Sequence, residues 1–317
     1  MSVSQEIKCK AIKLGFDLIG ITDASPIDAR QVELLSRWLK SGCAGQMSYL
    51  HRNFEKRNQP ALLLENAQSV ICVGLNYKPP KQKQKKPDPD APMGKVASYA
   101  QYEDYHPFIK ERLGKLAEFI TYVAGRQHKF KICVDSAPLA ERSLAARAGL
   151  GFIGKNHMLI NPELGPQIFL GEIITTLKLS TDKPIKDNCS NCDKCISACP
   201  THALTPDGQF DASKCISYFT IEHKGPISPP LAKKTADRIF GCDECVLACP
   251  YQKNAPVSKN KQFKFYDNHN SLDLNRILNL TQQDFDTEFT DSTIKRSGLE
   301  RLKRNARICL DNFNRFL

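Results

Sequence analysis

Cys189, Cys192, Cys195 and Cys199 stand within eleven residues of one another, and the last is followed by Pro200. A shorter echo, Cys242, Cys245 and Cys249, also closes on a proline, Pro250. Thiolates at the spacing C-x2-C-x2-C-x3-C-P wrap iron–sulfur cubes: the first three hold one 4Fe-4S cluster, and the fourth crosses to a second. A pair of four-thiolate cubes leaves the second run one ligand short, and Cys215, upstream in "KCISYFT", supplies it. The spacing therefore predicts Cys189, Cys192, Cys195 and Cys249 on one cluster, and Cys199, Cys215, Cys242 and Cys245 on the other. Proline suits the return around a cluster, because it fixes the chain direction and cannot continue a helix. Structural zinc favours paired C-x2-C units, from which this spacing departs. The remaining cysteines, Cys9, Cys43, Cys72, Cys133 and Cys309, are isolated and read as packing residues.

Two other stretches invite a chemical reading. "GLGFIGKN", residues 149–156, matches G-x-G-x-x-G and nearly matches a phosphate loop. Such loops follow a strand and open a helix, whereas here a helix precedes and the strand-like "HMLIN" follows. Asn156 also replaces the magnesium-binding hydroxyl. The glycines are instead expected to let the backbone approach something flat or bulky. Asp135 ends the apolar run "KICVD". It reads equally as a helix cap or as a carboxyl group at a sheet edge where a ligand binds.

The elements that must position these groups follow from pattern and composition. The chain has 317 residues, 41% hydrophobic and 25% charged, which suits a globular protein of two domains with an appendage. Apolar runs fall short of the roughly 18 residues of a membrane span. The start mixes charges with apolar residues and lacks a secretory pattern, so a cytoplasmic setting is expected. In that reducing compartment, clustered cysteines hold metal sooner than disulfides. Net charge is +11, which suits either a polyanionic partner or a solvated basic surface.

Helical periodicity marks residues 3–14, 27–40, 107–124 and 139–148, with strands in "FDLIGITDA", "SVICVGLNY" and "FKICVDSAP". This alternation predicts an α/β or α+β domain over residues 1–180. A small cluster-organised, ferredoxin-like module is expected over 181–256, and a short, basic, helical region over 257–317. The lysine- and proline-rich stretch 78–94 is expected to be a loop.

The segments "VDSAPLAERSLAARAGLGFIGKNHMLI", "CISYFTIEHKGPI" and "GCDECVLACPYQK", together with the first cysteine run, resemble the epoxyqueuosine reductases. The similarity extends from about residue 6 to at least residue 256; reductive dehalogenases are more distantly similar. The resemblance implies a cobalamin between the α/β domain and the cluster module, with the clusters delivering electrons to it. It implies reduction of epoxyqueuosine to queuosine at the wobble position of tRNA anticodons, with Asp135 as proton donor. A raised pKa would let that carboxyl donate at neutral pH. Arg57, Ser98, Lys155, Asn156, Met158, Ser217 and Gly241, with Asp135, match the family's cofactor-contacting positions. The cobalamin signature D-x-H-x-x-G is incomplete: Asp104 and His106 are present, but Ile109 replaces the glycine, so histidine ligation of cobalt is not expected.

Arg296, Arg301, Lys303, Arg304 and Arg307 form a basic stretch suited to tRNA phosphates. Longer family members continue into helical repeats, which this sequence does not reach. A flavodoxin or ferredoxin is the expected electron donor, and a monomer the expected state. Rival readings are a cofactor-free electron-transfer protein, a zinc protein that binds RNA, and a cobalamin reductase of another substrate.

Overall fold

The computed structural model describes residues 2–80, 91–186, 189 and 191–315. Its strands are β1 (Leu18–Asp23), β2 (Ser69–Asn76), β3 (Met93–Val96), β4 (Phe130–Cys133), β5 (Phe152–Ile153), β6 (Leu159–Ile160), β7 (Ile168–Thr175), β8 (Arg238–Phe240) and β9 (Ser271–Asp273). The principal sheet has the order β1-β2-β7-β4, and each neighbouring pair is antiparallel.

Strand alternation divides the apolar residues of β2 between two cores. Ile71, Val73 and Leu75 meet Ile7 of the helix Val3–Lys13 and Ile109, Leu113 and Leu116 of the helix Tyr105–Ala124. Val70 and Cys72 instead pack with Leu144 and Ala145 of the helix Glu141–Arg147. All eight residues of β2, and all eight of β7, are buried. Burying an isoleucine or leucine in this way contributes about 1.5–3 kcal/mol, so the two-sided covering dominates the stability of the sheet.

The expected helix-covered sheet is therefore present, but its topology needs correction. An alternating α/β reading places ligands at a common carboxyl edge, and an antiparallel sheet has no such edge. The difference lies in β7, which pairs with both β2 and β4 and runs against each. Its apolar run carries Gly171 and Glu172 in the middle, so the sequence pattern did not mark it as a strand.

A second sheet, ordered β8-β3-β9, joins the three sequence segments. β3, from the first segment, pairs parallel with β8 near the second cysteine run and antiparallel with β9 from the last segment. The basic helix Leu299–Phe313 packs Leu302, Ala306 and Cys309 into a core with Ile239, Phe240 and Ile277. The expected loop 78–94 lies outside the described residues over 81–90, and its end already enters β3.

Candidate active site

Asp135 follows β4 with φ +49, a left-handed backbone that an aspartate tolerates better than most side chains. It caps no helix, since Ala140 occupies the N-cap of Glu141–Arg147. About half of its side chain, 48%, is open to solvent. Its Oδ2 lies 3.1 Å from His106 Nε2 and 3.4 Å from Arg296 Nη1.

His106 is held there by the start of its own helix. Asp104 accepts the His106 backbone N–H at 2.9 Å, capping Tyr105–Ala124, and the same Oδ1 lies 2.6 Å from His106 Nδ1. One carboxylate thus starts the helix and orients the imidazole. Burial opposes the charge on His106, but Asp104 and Asp135 outweigh it and raise the pKa. Once protonated, both ring nitrogens donate. Arg296 Nη1 is 3.1 Å from His106 Nε2, a contact that becomes a hydrogen bond only when that nitrogen is bare.

The expected upward shift of Asp135 is corrected by the same neighbours. Burial pushes its carboxyl up, but the hydrogen bond and charge of His106, together with Arg296, bring the net result below the ordinary value. His106 Nε2, 3.1 Å from the carboxylate, is thus placed to pass a proton to it. Neither His106 nor Asp104 was identified as an active-site residue from sequence, although the incomplete D-x-H motif marked both.

The cofactor-position residues form two groups. Ser98, Asn156, Ser217 and Gly241 converge on the second cysteine run. The Ser98 backbone N–H donates to Asp243 Oδ2 at 2.7 Å, and Asn156 Nδ2 donates to the Cys245 carbonyl at 3.2 Å. Ser217 Oγ is 3.5 Å from the Cys242 carbonyl, and Gly241 donates its N–H to Thr220 Oγ1 at 2.9 Å. Gly241 has φ +72, and a Cβ there would fall 2.5 Å from Ala97 Cβ, so glycine is required. Arg57 lies elsewhere: its Nη1 donates to the Leu139 carbonyl at 3.4 Å, while its buried Nε has no partner. Lys155 and Met158 are half-buried in the β5–β6 turn.

That turn settles the role of its glycines. "GLGFIGKN" follows a helix and forms the first strand and turn of the β5–β6 hairpin, as its rejection as a phosphate loop required. A Cβ on Gly149 would meet the Lys183 carbonyl at 2.6 Å, and one on Gly151 would meet the Ile160 carbonyl at 2.3 Å. These two glycines admit the chain's own backbone, not the flat or bulky group expected.

The clustered thiols act on one another in two sets. Burial raises the Cys195 thiol, and Cys189, Cys192 and Cys249 raise it further. Burial also pushes Cys245 well up, with Cys215, Cys242 and Cys199 adding to it. Among the described residues, no three His, Cys, Asp or Glu side chains converge as a single metal ion would require. Of the isolated cysteines, Cys72, Cys133 and Cys309 are buried, Cys43 is half-buried and Cys9 is exposed.

The basic stretch is less uniform than its sequence. Arg296 belongs to the 3-10 turn Thr293–Ser297 and pairs with Asp135. Arg301 donates to the Ile221 carbonyl. Arg304 donates to the carbonyls of Phe219, His223 and Gly225, at 2.5, 2.9 and 2.8 Å. Both arginines close the end of the helix Ile216–Ile221, which leaves Lys303 half-buried and Arg307 exposed.

The family model described as epoxyqueuosine reductase QueG, DUF1730, matches residues 57–136, and a 4Fe-4S double cluster binding domain matches residues 188–252. The epoxyqueuosine reductase of Leadbetterella byssophila is 40% identical over 95% of this chain and 96% of its own length. A crystal structure of epoxyqueuosine reductase with an epoxyqueuosine-modified tRNA-Tyr stem loop has 31% identity and a TM-score of 0.90, covering 98% of this chain and 82% of that one. The Bacillus subtilis enzyme, solved with its catalytic aspartate loop swung out of the active site, has 30% identity and a TM-score of 0.89, with 98% and 82% coverage. Among the described residues, no helix is long and apolar enough to cross a membrane. With its double cluster domain and near-complete alignment to these enzymes, the chain belongs to the epoxyqueuosine reductase family of oxidoreductases.

Proposed function

We propose that this chain reduces epoxyqueuosine to queuosine at the wobble position of tRNA anticodons, using cobalamin and two 4Fe-4S clusters, with Asp135 as the proton donor. The observation that carries the reading is the seating of Asp135 Oδ2 3.1 Å from His106 Nε2, with half of the side chain open to solvent. Converting an epoxide to an alkene and water consumes two electrons and two protons, so the departing oxygen needs an acid beside it.

His106 holds a proton at Nε2 and Asp104 fixes the ring, so Asp135 draws that proton through one hydrogen bond and presents it to the substrate oxygen. Arg296 then donates to the bare Nε2 and to Asp135 Oδ2, holding both until solvent restores the proton, and the second proton that releases the oxygen as water follows the same route.

The residues present fit a cobalamin. Arg57 retains an unpartnered, buried N–H, and Ser98, Asn156, Ser217 and Gly241 gather at the Cys242–Cys245 loop, where electrons would leave the wire. When bound, cobalamin supplies a strongly reducing, nucleophilic metal centre. Cys189, Cys192, Cys195 and Cys249 would hold one cluster, and Cys199, Cys215, Cys242 and Cys245 the other. A flavodoxin or ferredoxin would feed them. A tRNA partner is supported by the stem-loop complex of the related enzyme. An unpaired loop also exposes its bases at little unstacking cost.

The test is anaerobic turnover of an epoxyqueuosine-bearing stem loop by cluster- and cobalamin-loaded protein. Product lighter by one oxygen, formed only with cobalamin, supports the reading. Turnover without cobalamin, or none with it, overturns it.

A further inference from the structure

Behind Asp135 lie two acids that the proton path above does not use. Glu141 Oε1 accepts the Asp135 backbone N–H at 2.5 Å, a contact that ties the left-handed residue to the helix following it. Glu172, in the middle of β7, is 0% exposed, and neither of its oxygens meets an N–H or hydroxyl donor. The Glu141 carboxyl faces it closely enough to interact with it. Two ionised carboxylates can only accept, so a bond between them requires a proton. An unpaired charge at the centre of a sheet is also costly enough that the group neutralises instead.

The remaining groups facing the pair do not supply a compensating charge at hydrogen-bonding distance. Cys72 on β2 and Cys133 on β4 stand directly across from Glu172 in the sheet register. Arg142 and Arg147 lie on the covering helix, but Arg142 donates to the His157 carbonyl, and Arg147 to Thr22 Oγ1 and the Asp23 and Ser25 carbonyls. Arg57 and Asp135 complete the surroundings.

We infer that Glu141 and Glu172 share one proton and act as the positioning pair for Asp135: protonated Glu172 donates to Glu141, whose other acceptor site pins the Asp135 N–H. Burial and the Asp135 charge raise Glu141, and burial with the Glu141 charge raises Glu172, in agreement with the geometry. A second negative charge in this space would repel Asp135 and release its loop. The pair thus selects the seated position of a loop that a relative shows swung out of the active site.

The inference rests on Asp135 as the donor only for its catalytic consequence; the pair itself can be tested without turnover. In cluster-loaded protein, the infrared band of a protonated buried carboxyl is expected near neutral pH and is expected to be lost in Glu172→Gln. Hydrogen exchange, corrected for intrinsic rate, should find the Asp135 amide protected in the wild type and in Glu141→Gln, and unprotected in Glu141→Ala. Protection should fade with rising pH in the wild type and persist in Glu172→Gln, whose amide donates without titrating. In turnover, Glu141→Ala should lower kcat by roughly a hundredfold at unchanged KM, the scale of a misplaced catalytic group, and Glu141→Gln should restore most of it. No carboxyl band, or a protected Asp135 amide in Glu141→Ala, overturns the pair. Normal turnover in Asp135→Asn would instead overturn the donor assignment and leave these readouts intact.

Discussion

His106 Nε2 lies 3.1 Å from Asp135 Oδ2, while the opposite ring nitrogen is held 2.6 Å from Asp104. The half-exposed carboxyl is therefore placed to accept a proton from the histidine behind it. Replacing Asp135 with asparagine removes the relay yet leaves a side chain of nearly the same shape. Asp135→Asn is expected to keep both clusters and bound cobalamin while losing about a hundredfold or more in turnover, the scale of a general acid. Iron and cobalt analysis beside the rate measurement separates this from loss of the cofactor.

The directions of the shifts give the pH dependence. His106 is raised, so its contribution to stability is full below its unfolded value of about 6.5 and is lost as pH rises through its folded pKa. Asp104 and Asp135 are lowered, so theirs is present above about 3.9 and is lost as pH falls through their folded values. Turnover should accordingly fall on the alkaline side as His106 loses its proton. His106→Gln should abolish that limb together with most of the rate; an unchanged alkaline limb would mean that the proton is stored elsewhere.

The arginines that look alike in sequence should separate in function. Arg296→Ala is expected to lower kcat more than stem-loop affinity, because its guanidinium is 3.4 Å from Asp135. Arg307→Ala should weaken binding and reduce its salt dependence, the signature of a phosphate contact, with kcat unchanged. Arg304→Ala should destabilise the fold by at least about 1.5–3 kcal/mol, the worth of one of its three carbonyl bonds to a charged donor, read as a lower thermal midpoint.

The cysteine chemistry was the most legible part of the sequence, because cluster ligation imposes short, fixed spacings on a local run. Long helices and β2 were also legible, since periodicity and a continuous apolar run survive in one dimension. The partners of Asp135 were not. His106 lies 29 residues before it and Arg296 lies 161 after it, and only the packing of the helix Tyr105–Ala124 and the turn Thr293–Ser297 brings them to one carboxylate. β7 escaped for a related reason: Glu172 looks like a solvent-facing break in an apolar run until the covering helix brings Glu141 against it. The basic stretch misled in the other direction, because nothing in the residue type tells a guanidinium bound to carbonyls from one left for phosphate.

The two quartets give the most discriminating test of the cluster wire. Cys249 belongs in sequence with Cys242 and Cys245, yet in space it joins Cys189, Cys192 and Cys195. Cys199 crosses the other way, toward Cys215 and Cys245. Cys249→Ala should therefore remove the cluster of the first run, and Cys199→Ala that of the second, each leaving about four of roughly eight irons. The two variants must also differ in what survives. Without the first-run cluster, the thiols beside Ser98, Asn156 and Gly241 still hold iron, so chemically reduced protein should retain substrate turnover while accepting electrons poorly from a protein donor. Without the second, the last electron-transfer step is broken, and turnover should fail with either reductant. Iron content and electron paramagnetic resonance of each variant decide the partition: a local pairing of each run with itself would reverse which cluster is lost.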